Sequence, residues 1–262
     1  MNYKRLIFAL LYKEGNFFLS RNFRLQKVGD INWLKNNYSF GETCEYVDEI
    51  IILNVKDNPS KQDNCKFITD INEFKKKIFV PLVLGGGIRK FSDAQYYFEN
   101  GADKISLNSL VHLDKNEINK ISKNFGAQSI SIMVDYKKEI KNYFSFTNCG
   151  KTKSLKLENY FRVLNKINFG ELILNSIDLD GTGFGYDKNI LKLIPNNIRK
   201  SVLMMGGAGK PEHFFEILKE NKISGAVTAN LFNFLGSGLK KSRNYSIKKK
   251  LKLFEFTKLN EK

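Results

Sequence analysis

An α/β fold, a single (β/α)8 barrel, is predicted by three observations. Eight short apolar, β-branched runs alternate with segments of helical length, which argues for βα units and a parallel sheet. The second half of the chain echoes the first at a spacing of about 120 residues. The length of 262 residues, with 42% hydrophobic content, suits one barrel domain.

The eight runs, in order, are Arg5 to Leu11, Glu49 to Val55, Phe79 to Leu84, Lys104 to Asn108, Ser129 to Asp135, Glu171 to Ile177, Ser201 to Met205 and Gly225 to Ala229. Between them, Phe91 to Asn100, His112 to Phe125 and Pro211 to Asn221 have the length and spacing of amphipathic helices. In the repeat, Gly86-Gly87 answers Gly206-Gly207. Glu49 to Leu53 answers Glu171 to Asn175, and Ser106-Leu107-Asn108 answers Thr228-Ala229-Asn230. Two four-unit halves, about 1–122 and 123–240, then make one TIM barrel with a two-fold half-barrel repeat, and 241–262 follow as a basic C-terminal helix or tail.

No stretch approaches the roughly 18 to 20 apolar residues of a membrane span, and the N-terminus lacks a signal-peptide layout, so a cytoplasmic protein without membrane partners is expected. Cys44, Cys65 and Cys149 are odd in number and far apart, which indicates neither a disulfide framework nor a metal site; no metal and no cofactor are expected. The formal charge of +16 permits nucleic-acid binding, but the lysines are scattered among Asn and Ile, and no recognition motif accompanies them. The one dense basic run, Lys240 to Lys262, reads as a solvated helix or tail, with a surface for an acidic partner as the alternative.

Two glycine clusters follow apolar strands: Gly85-Gly86-Gly87-Ile88 and Gly206-Gly207-Ala208-Gly209-Lys210. Glycines there let backbone N–H groups approach an anion, and a following helix N-terminus adds a favourable field, so each is a candidate phosphate site. Two such sites at opposed repeat positions imply a ligand with two phosphates. Asn108 with Ser109, and Thr228 to Asn230, close the next strands and complete the sites. Asp135 ends the fifth strand, where catalytic groups of a barrel project, and Asp178 and Asp180 follow the sixth; a carboxylate there serves as general acid or base. The alternatives are loop carboxylates that accept backbone bonds. The repeat aligns Leu11 with Asp135, so a symmetric acid–base pair is excluded. Arg5, Glu49, Lys104 and Glu171 begin four strands; two cations and two anions at the mouth of a barrel suggest a neutral ring at the bottom, either structural or functional. His112 and His213 read as surface or capping residues.

These motifs together make the sequence similar to the cyclase subunit of imidazole glycerol phosphate synthase over nearly all of 1–240. The resemblance rests on Lys4-Arg5-Leu6-Ile7, Gly85 to Ile88, Gly101 to Asn108, Ser176 to Thr182 and Gly206 to Lys210. It implies a lyase of the glutamine amidotransferase type. Such a protein binds a bis-phosphate aminoimidazole nucleotide at its top rim, through Gly85, Gly86, Gly87, Asn108, Ser109, Asp180, Gly181, Thr182, Gly206, Gly207, Ala229 and Asn230. Ammonia from a partner glutaminase enters at the bottom, through a gate that Arg5, Glu49, Lys104 and Glu171 match at all four positions.

The departures lie at the other end. The family's first catalytic aspartate is Leu11 here, its substrate-contacting loop lysine aligns with Leu19, and the aspartate ending the second strand aligns with Asn54; of the catalytic pair, Asp135 remains. A Leu at that position also resembles a divergent branch associated with surface-polysaccharide synthesis, in which the barrel passes ammonia to an N-acetyl sugar amidotransferase. The expectation is therefore an ammonia-channelling paralogue, with the histidine-biosynthesis cyclase as the second reading and a non-catalytic scaffold that activates its glutaminase as the third.

Overall fold

A computed structural model describes residues 3–37, 45–76, 79–229 and 237–254. In chain order the elements of the first half are β1 (Arg5–Lys13), β2 (Asn16–Arg21), β3 (Arg24–Asp30), α1 (Ile31–Asn37), β4 (Glu49–Asn54), α2 (Lys61–Lys75), β5 (Leu82–Gly85), α3 (Phe91–Glu99), β6 (Lys104–Leu107), α4 (Leu110–Leu113) and α5 (Lys115–Phe125). Those of the second half are β7 (Ile130–Glu139), β8 (Asn142–Thr147), β9 (Thr152–Lys156), α6 (Leu157–Leu164), β10 (Glu171–Ser176), β11 (Ser201–Met205), α7 (Pro211–Leu218), β12 (Ile223–Thr228) and α8 (Ser237–Lys248). Short 3-10 turns lie at Ala127–Ser129 and Lys188–Lys192.

Eight parallel strands, β1-β4-β5-β6-β7-β10-β11-β12, form a closed ring, with β12 pairing back onto β1. This is the expected (β/α)8 barrel. Along each barrel strand successive side chains point to opposite faces, and both faces are buried. On β1, Leu6, Phe8 and Leu10 pack outward under the helices, whereas Ile7, Ala9 and Leu11 point into the barrel. The interior core adds Ile51, Val83, Ile173, Leu203 and Val227.

The remaining strands are two antiparallel extensions that sequence reading did not foresee. β1 runs on into β2 and β3, and β7 runs on into β8 and β9, so the first strand of each half carries a hairpin at the same repeat position. Glu14-Gly15 and Asn22-Phe23 turn the first of them, with positive φ at both residues of each pair, as two-residue hairpin turns require.

Helix ends follow their local chemistry. Ser60 caps α2: its hydroxyl accepts from Asp63 N at 3.2 Å, and the Asp63 carboxylate accepts from Ser60 N at 2.8 Å. The helix expected over His112 to Phe125 is two, because Asp114 is extended (φ −153°) and its carboxylate takes Asn116 N at 2.8 Å to cap α5.

The basic C-terminal segment differs from its expectation as a solvated helix or tail. Lys240, Lys241 and Lys248 are exposed, but the other face of α8 is buried, and Arg243 on it is only 3% exposed. Its guanidinium meets Asp48 at 2.6 Å and donates to the Tyr46 carbonyl at 3.1 Å. An arginine placed there anchors the helix, because a buried cation requires a partner. The chain then crosses the barrel bottom, where Lys4 N donates to Lys252 O and Tyr3 stacks on Phe254 at 4.3 Å. Residues 255–262 of that expectation lie outside the described residues.

Candidate active site

Four of the eight inward lines of side chains start from a charge at the bottom of the barrel. Arg5 Nη1 lies 3.0 Å from Glu49 Oε2, Lys104 Nζ lies 2.8 Å from the same oxygen and 3.1 Å from Glu171 Oε2, and Arg5 Nη2 closes the circuit on Glu171 Oε1. The four charges alternate and cancel. Ser131 Oγ adds a bond to Glu171 at 3.0 Å, and Ser201 Oγ accepts from Arg5 at 3.1 Å. Burial alone raises a carboxyl's pKa, but Arg5 and then Lys104 hold Glu171 below the ordinary carboxylate range.

The top of the barrel holds a cavity of about 440 Å³. Leu11, Leu53, Met133 and Met205 form its apolar floor, and Asn54, Asn108, Asp135 and Asn175 line it with polar groups. One wall is the first glycine loop. Gly86 and Gly87 have φ of +94° and +72°, and a Cβ on Gly86 would stand 2.0 Å from Asn54 O, so only glycine fits there. Ser109 and Arg89 border the same wall.

Asp135 is the group on which the cavity's chemistry centres. Asn175 Nδ2 donates to one carboxylate oxygen at 2.8 Å and Asn108 Nδ2 to the other at 2.7 Å. Burial raises its pKa to about 7; the Asn175 bond opposes that rise, Asp180 adds to it, and the Asn108 bond again opposes it. A carboxyl that titrates near neutrality can accept or deliver a proton at working pH. Leu11 lines the same cavity and can do neither.

The other sequence-predicted residues are placed as follows. Gly85 ends β5 beneath the first loop, with Ser106 and Leu53 against it. Asp180 lines the cavity, but its Oδ2 is already held by Ser20 Oγ at 2.5 Å and Phe23 N at 3.0 Å, so it pins the β2–β3 turn to the loop after β10. Gly181 lies under the same turn, where a Cβ would meet Ser20 O at 2.2 Å, and Thr182 Oγ1 donates to Leu179 O at 2.8 Å. Gly206 and Gly207 lie outside the cavity's described lining; Gly207 O accepts from Gly185 N at 2.7 Å, which packs that loop on 183–185. Ala229 packs against the barrel interior, and Asn230 falls outside the described residues. His213 Nδ1 accepts from Gly209 N at 3.2 Å, a capping role, whereas His112 borders the cavity with Nδ1 3.1 Å from Ser154 Oγ.

Sequence reasoning missed Asn175 and the hairpin residues Phe23, Leu25, Thr147, Asn148 and Cys149 of the lining. The signal for Asn175 was alternation: inward positions recur every second residue, so Glu171, Ile173 and Asn175 share a face, as Ser131, Met133 and Asp135 do.

Comparison with known proteins decides the family. The family described as Histidine biosynthesis protein matches residues 40–236. The protein named imidazole glycerol phosphate synthase subunit hisF2 of Parasynechococcus marenigrum is 39% identical over 93% of this chain and 90% of the relative. The subunit HisF of Sulfurisphaera tokodaii is 33% identical (89% and 91% covered) and that of Chlorobium phaeobacteroides 31% (92% and 95%). The chain belongs to the HisF family. Within this HisF-family barrel the two ends are thus chemically distinct: a closed circuit of four charges below, and above it a cavity with one carboxyl poised near neutrality. Among the described residues no helix is long and apolar enough to cross a membrane, and no group of three or more His, Cys, Asp or Glu is arranged to hold a metal.

Proposed function

We propose that this HisF-family chain takes ammonia from a glutaminase bound at the bottom of the barrel and passes it through the interior to an acceptor at the top, as a paralogue serving an N-acetyl sugar amidotransferase in surface-polysaccharide synthesis. One observation carries the reading: the Arg5–Glu49–Lys104–Glu171 circuit is complete while Leu11 stands in the cavity with Asp135 as the remaining carboxyl of the pair. Between the ends the inward residues Ile7, Ala9, Ile51, Ile173 and Leu203 are apolar. Such a lining suits neutral ammonia and opposes ammonium, whose transfer out of water is costly.

On this reading a phosphorylated ligand rests at the rim. The first site is Gly85, Gly86, Gly87, Asn108 and Ser109; the second is Asp180, Gly181, Thr182, Gly206, Gly207, Ala229 and Asn230. Crystals soaked in sulfate test this directly: density at both loops supports a bis-phosphate, and density at neither removes it. A second reading, the histidine-biosynthesis cyclase itself, is favoured by Asp135 held near neutrality between two amides. A steady-state assay with ammonia and the bis-phosphate aminoimidazole nucleotide separates the two. Turnover at the level of relatives with both carboxylates makes the chain a cyclase; trace turnover, with ammonia released toward an added sugar amidotransferase, supports the channel.

A further inference from the structure

A carboxyl that takes up and gives back a proton inside a protein needs a partner in each of its two states: donors for the carboxylate, and an acceptor for the O–H of the acid. Asp135 is buried, and its carboxylate state is provided for by Asn108 Nδ2 at 2.7 Å and Asn175 Nδ2 at 2.8 Å. The acid state needs an acceptor, and Asn175 carries one. Asn175 is only 4% exposed, its Oδ1 is fully buried, and among the described residues that oxygen has no hydrogen-bond partner. A buried carbonyl oxygen without a donor is costly and calls for an explanation. Oδ1 is turned toward the end of β11, where a Cβ built on Gly206 would lie 3.5 Å from it. A half-turn about χ2 exchanges the oxygen and nitrogen of an asparagine without changing its shape. For Asn175 that turn breaks the bond to Asp135 and no bond of Oδ1. Asn54, another amide of the cavity, is locked by contrast: its Oδ1 accepts from Lys56 N and its Nδ2 donates to Asn64 Oδ1, each at 3.2 Å.

We propose that Asn175 is a positioning residue that follows the proton on Asp135: it donates to the carboxylate through Nδ2 and, after a half-turn, accepts the O–H of the acid through Oδ1. The inference goes beyond both functional readings, since it concerns the proton on Asp135 whichever acceptor the barrel serves. In the step Asp135 gains one proton, from solvent or from a ligand, and passes from an anion to a neutral acid. Asn175 neither gains nor loses a proton; a donated bond becomes an accepted one. The carboxyl thus keeps its orientation before and after transfer, as a general acid–base group requires. The titratable groups that face Asp135 are Asp180 after β10, whose charge adds to the rise of its pKa, Tyr160 on α6 and Cys149 in the β8–β9 turn. Burial, with Asp135 adding to it, pushes up both the phenol and the thiol, the latter to about 11, so neither changes charge near neutrality. On the flanking strands β6 and β10 the charged residues are Lys104 and Glu171, which belong to the ring at the other end. Lys56, Asp57, Arg89 and His112 also line the cavity.

The test is nuclear magnetic resonance of the full chain with 15N-labelled asparagine, the side-chain signals of Asn175 being assigned by their loss in Asn175→Leu. At about pH 9 the amide protons of Asn175 are expected to show Overhauser contacts to the Asp135 side chain and none to the Gly206 Hα, and at about pH 5 the pattern is expected to reverse. The midpoint of the reversal is expected at about 7. Asp135→Asn, which does not titrate, is expected to hold one pattern across the range. A wild-type pattern that is the same at both ends of the range overturns the inference, and so does a turn of Asn108 in place of Asn175. A reversal that survives in Asp135→Asn overturns it as well, because another group, such as Asp180, then drives the turn. Should that variant not fold, the titration of the Asp135 carboxyl carbon signal in wild type decides: a midpoint shared with the reversal supports the inference, and a separate one overturns it. No ligand or partner enters the measurement, so the functional readings stand or fall apart from it.

Discussion

The two ends of this barrel place charge in opposite ways. Below, Arg5, Glu49, Lys104 and Glu171 neutralise one another within a single circuit. Above, Asp135 has two amides and, among the described residues, no cation beside it, and its pKa rises to about 7. Pairing holds geometry below, where Arg5 and Lys104 keep Glu171 low while burial and then Glu171 raise Glu49; above, a buried carboxyl without a counter-charge becomes a proton carrier. The same strands supply both, since Glu171 and Asn175 lie on one inward line of β10 and Ser131 and Asp135 on one line of β7.

The contrast is broken most forcefully at Leu11. If the upper end lacks only a second carboxyl, Leu11→Asp is expected to raise cyclase turnover on the bis-phosphate nucleotide by roughly 10² to 10⁴. No change in a steady-state assay would mean that the deficit lies elsewhere in the cavity. At the lower end, Lys104→Ala leaves Glu49 and Glu171 facing Arg5 alone, and is expected to destabilise the fold by about 3 to 5 kcal/mol in urea titrations. A loss below about 1 kcal/mol would place the ring in effective contact with water.

Asp135 sharpens the comparison through pH. Its pKa is raised from 3.8 to about 7 in the folded chain. Between those values the folded chain keeps a proton that the unfolded chain has released, so this group makes stability fall as pH rises from about 4 to about 7 and contributes no further slope above that. The full span is at most about 4 kcal/mol, and Asp135→Asn is expected to remove the slope in denaturation curves taken across that window. The smallest effect belongs to the exposed Lys153–Glu139 pair on the upper hairpin. Lys153→Ala is expected to shift the thermal midpoint by an amount equivalent to less than about 1 kcal/mol, in contrast to Lys104.

The barrel was legible because a strand buried on both faces leaves an uninterrupted apolar run, and eight of them alternate with helices. Of their boundaries, Ser201 to Met205 agrees, while β1 and β7 run past theirs to Lys13 and Glu139 to begin the hairpins. Of the hairpin strands, β3, Arg24–Asp30, was not legible because it is almost wholly exposed, with only Val28 packed on the core. Glu14-Gly15 was the signal available. At the site, Asp135, Asn108, Ser109 and the first glycine loop could be read from the ends of strands. Asp180's hold on Ser20 and Phe23 could not, since it depends on a hairpin 160 residues away in sequence. Arg243 escaped for a related reason: a lysine-rich helix reads as solvated until its partner, Asp48, is known.

That ion pair also sets an order of assembly. Asp48 and Glu49 sit at the entrance of β4, and Asp48 takes both the Leu6 N–H at 2.7 Å and the guanidinium of Arg243. During synthesis the first half is made with its Asp48 carboxylate lacking the cation that covers it, and with β1 lacking β12 beside it. Both arrive only after residue 220. The β12–β1 seam and the Arg243–Asp48 pair beside β4 can therefore form only after these late segments are made. Contacts this distant in sequence make closure slow relative to the helices that precede it. A ribosome paused after β11 would hold an open sheet, and the transition to the closed molecule would be read as a late, single step in protease resistance.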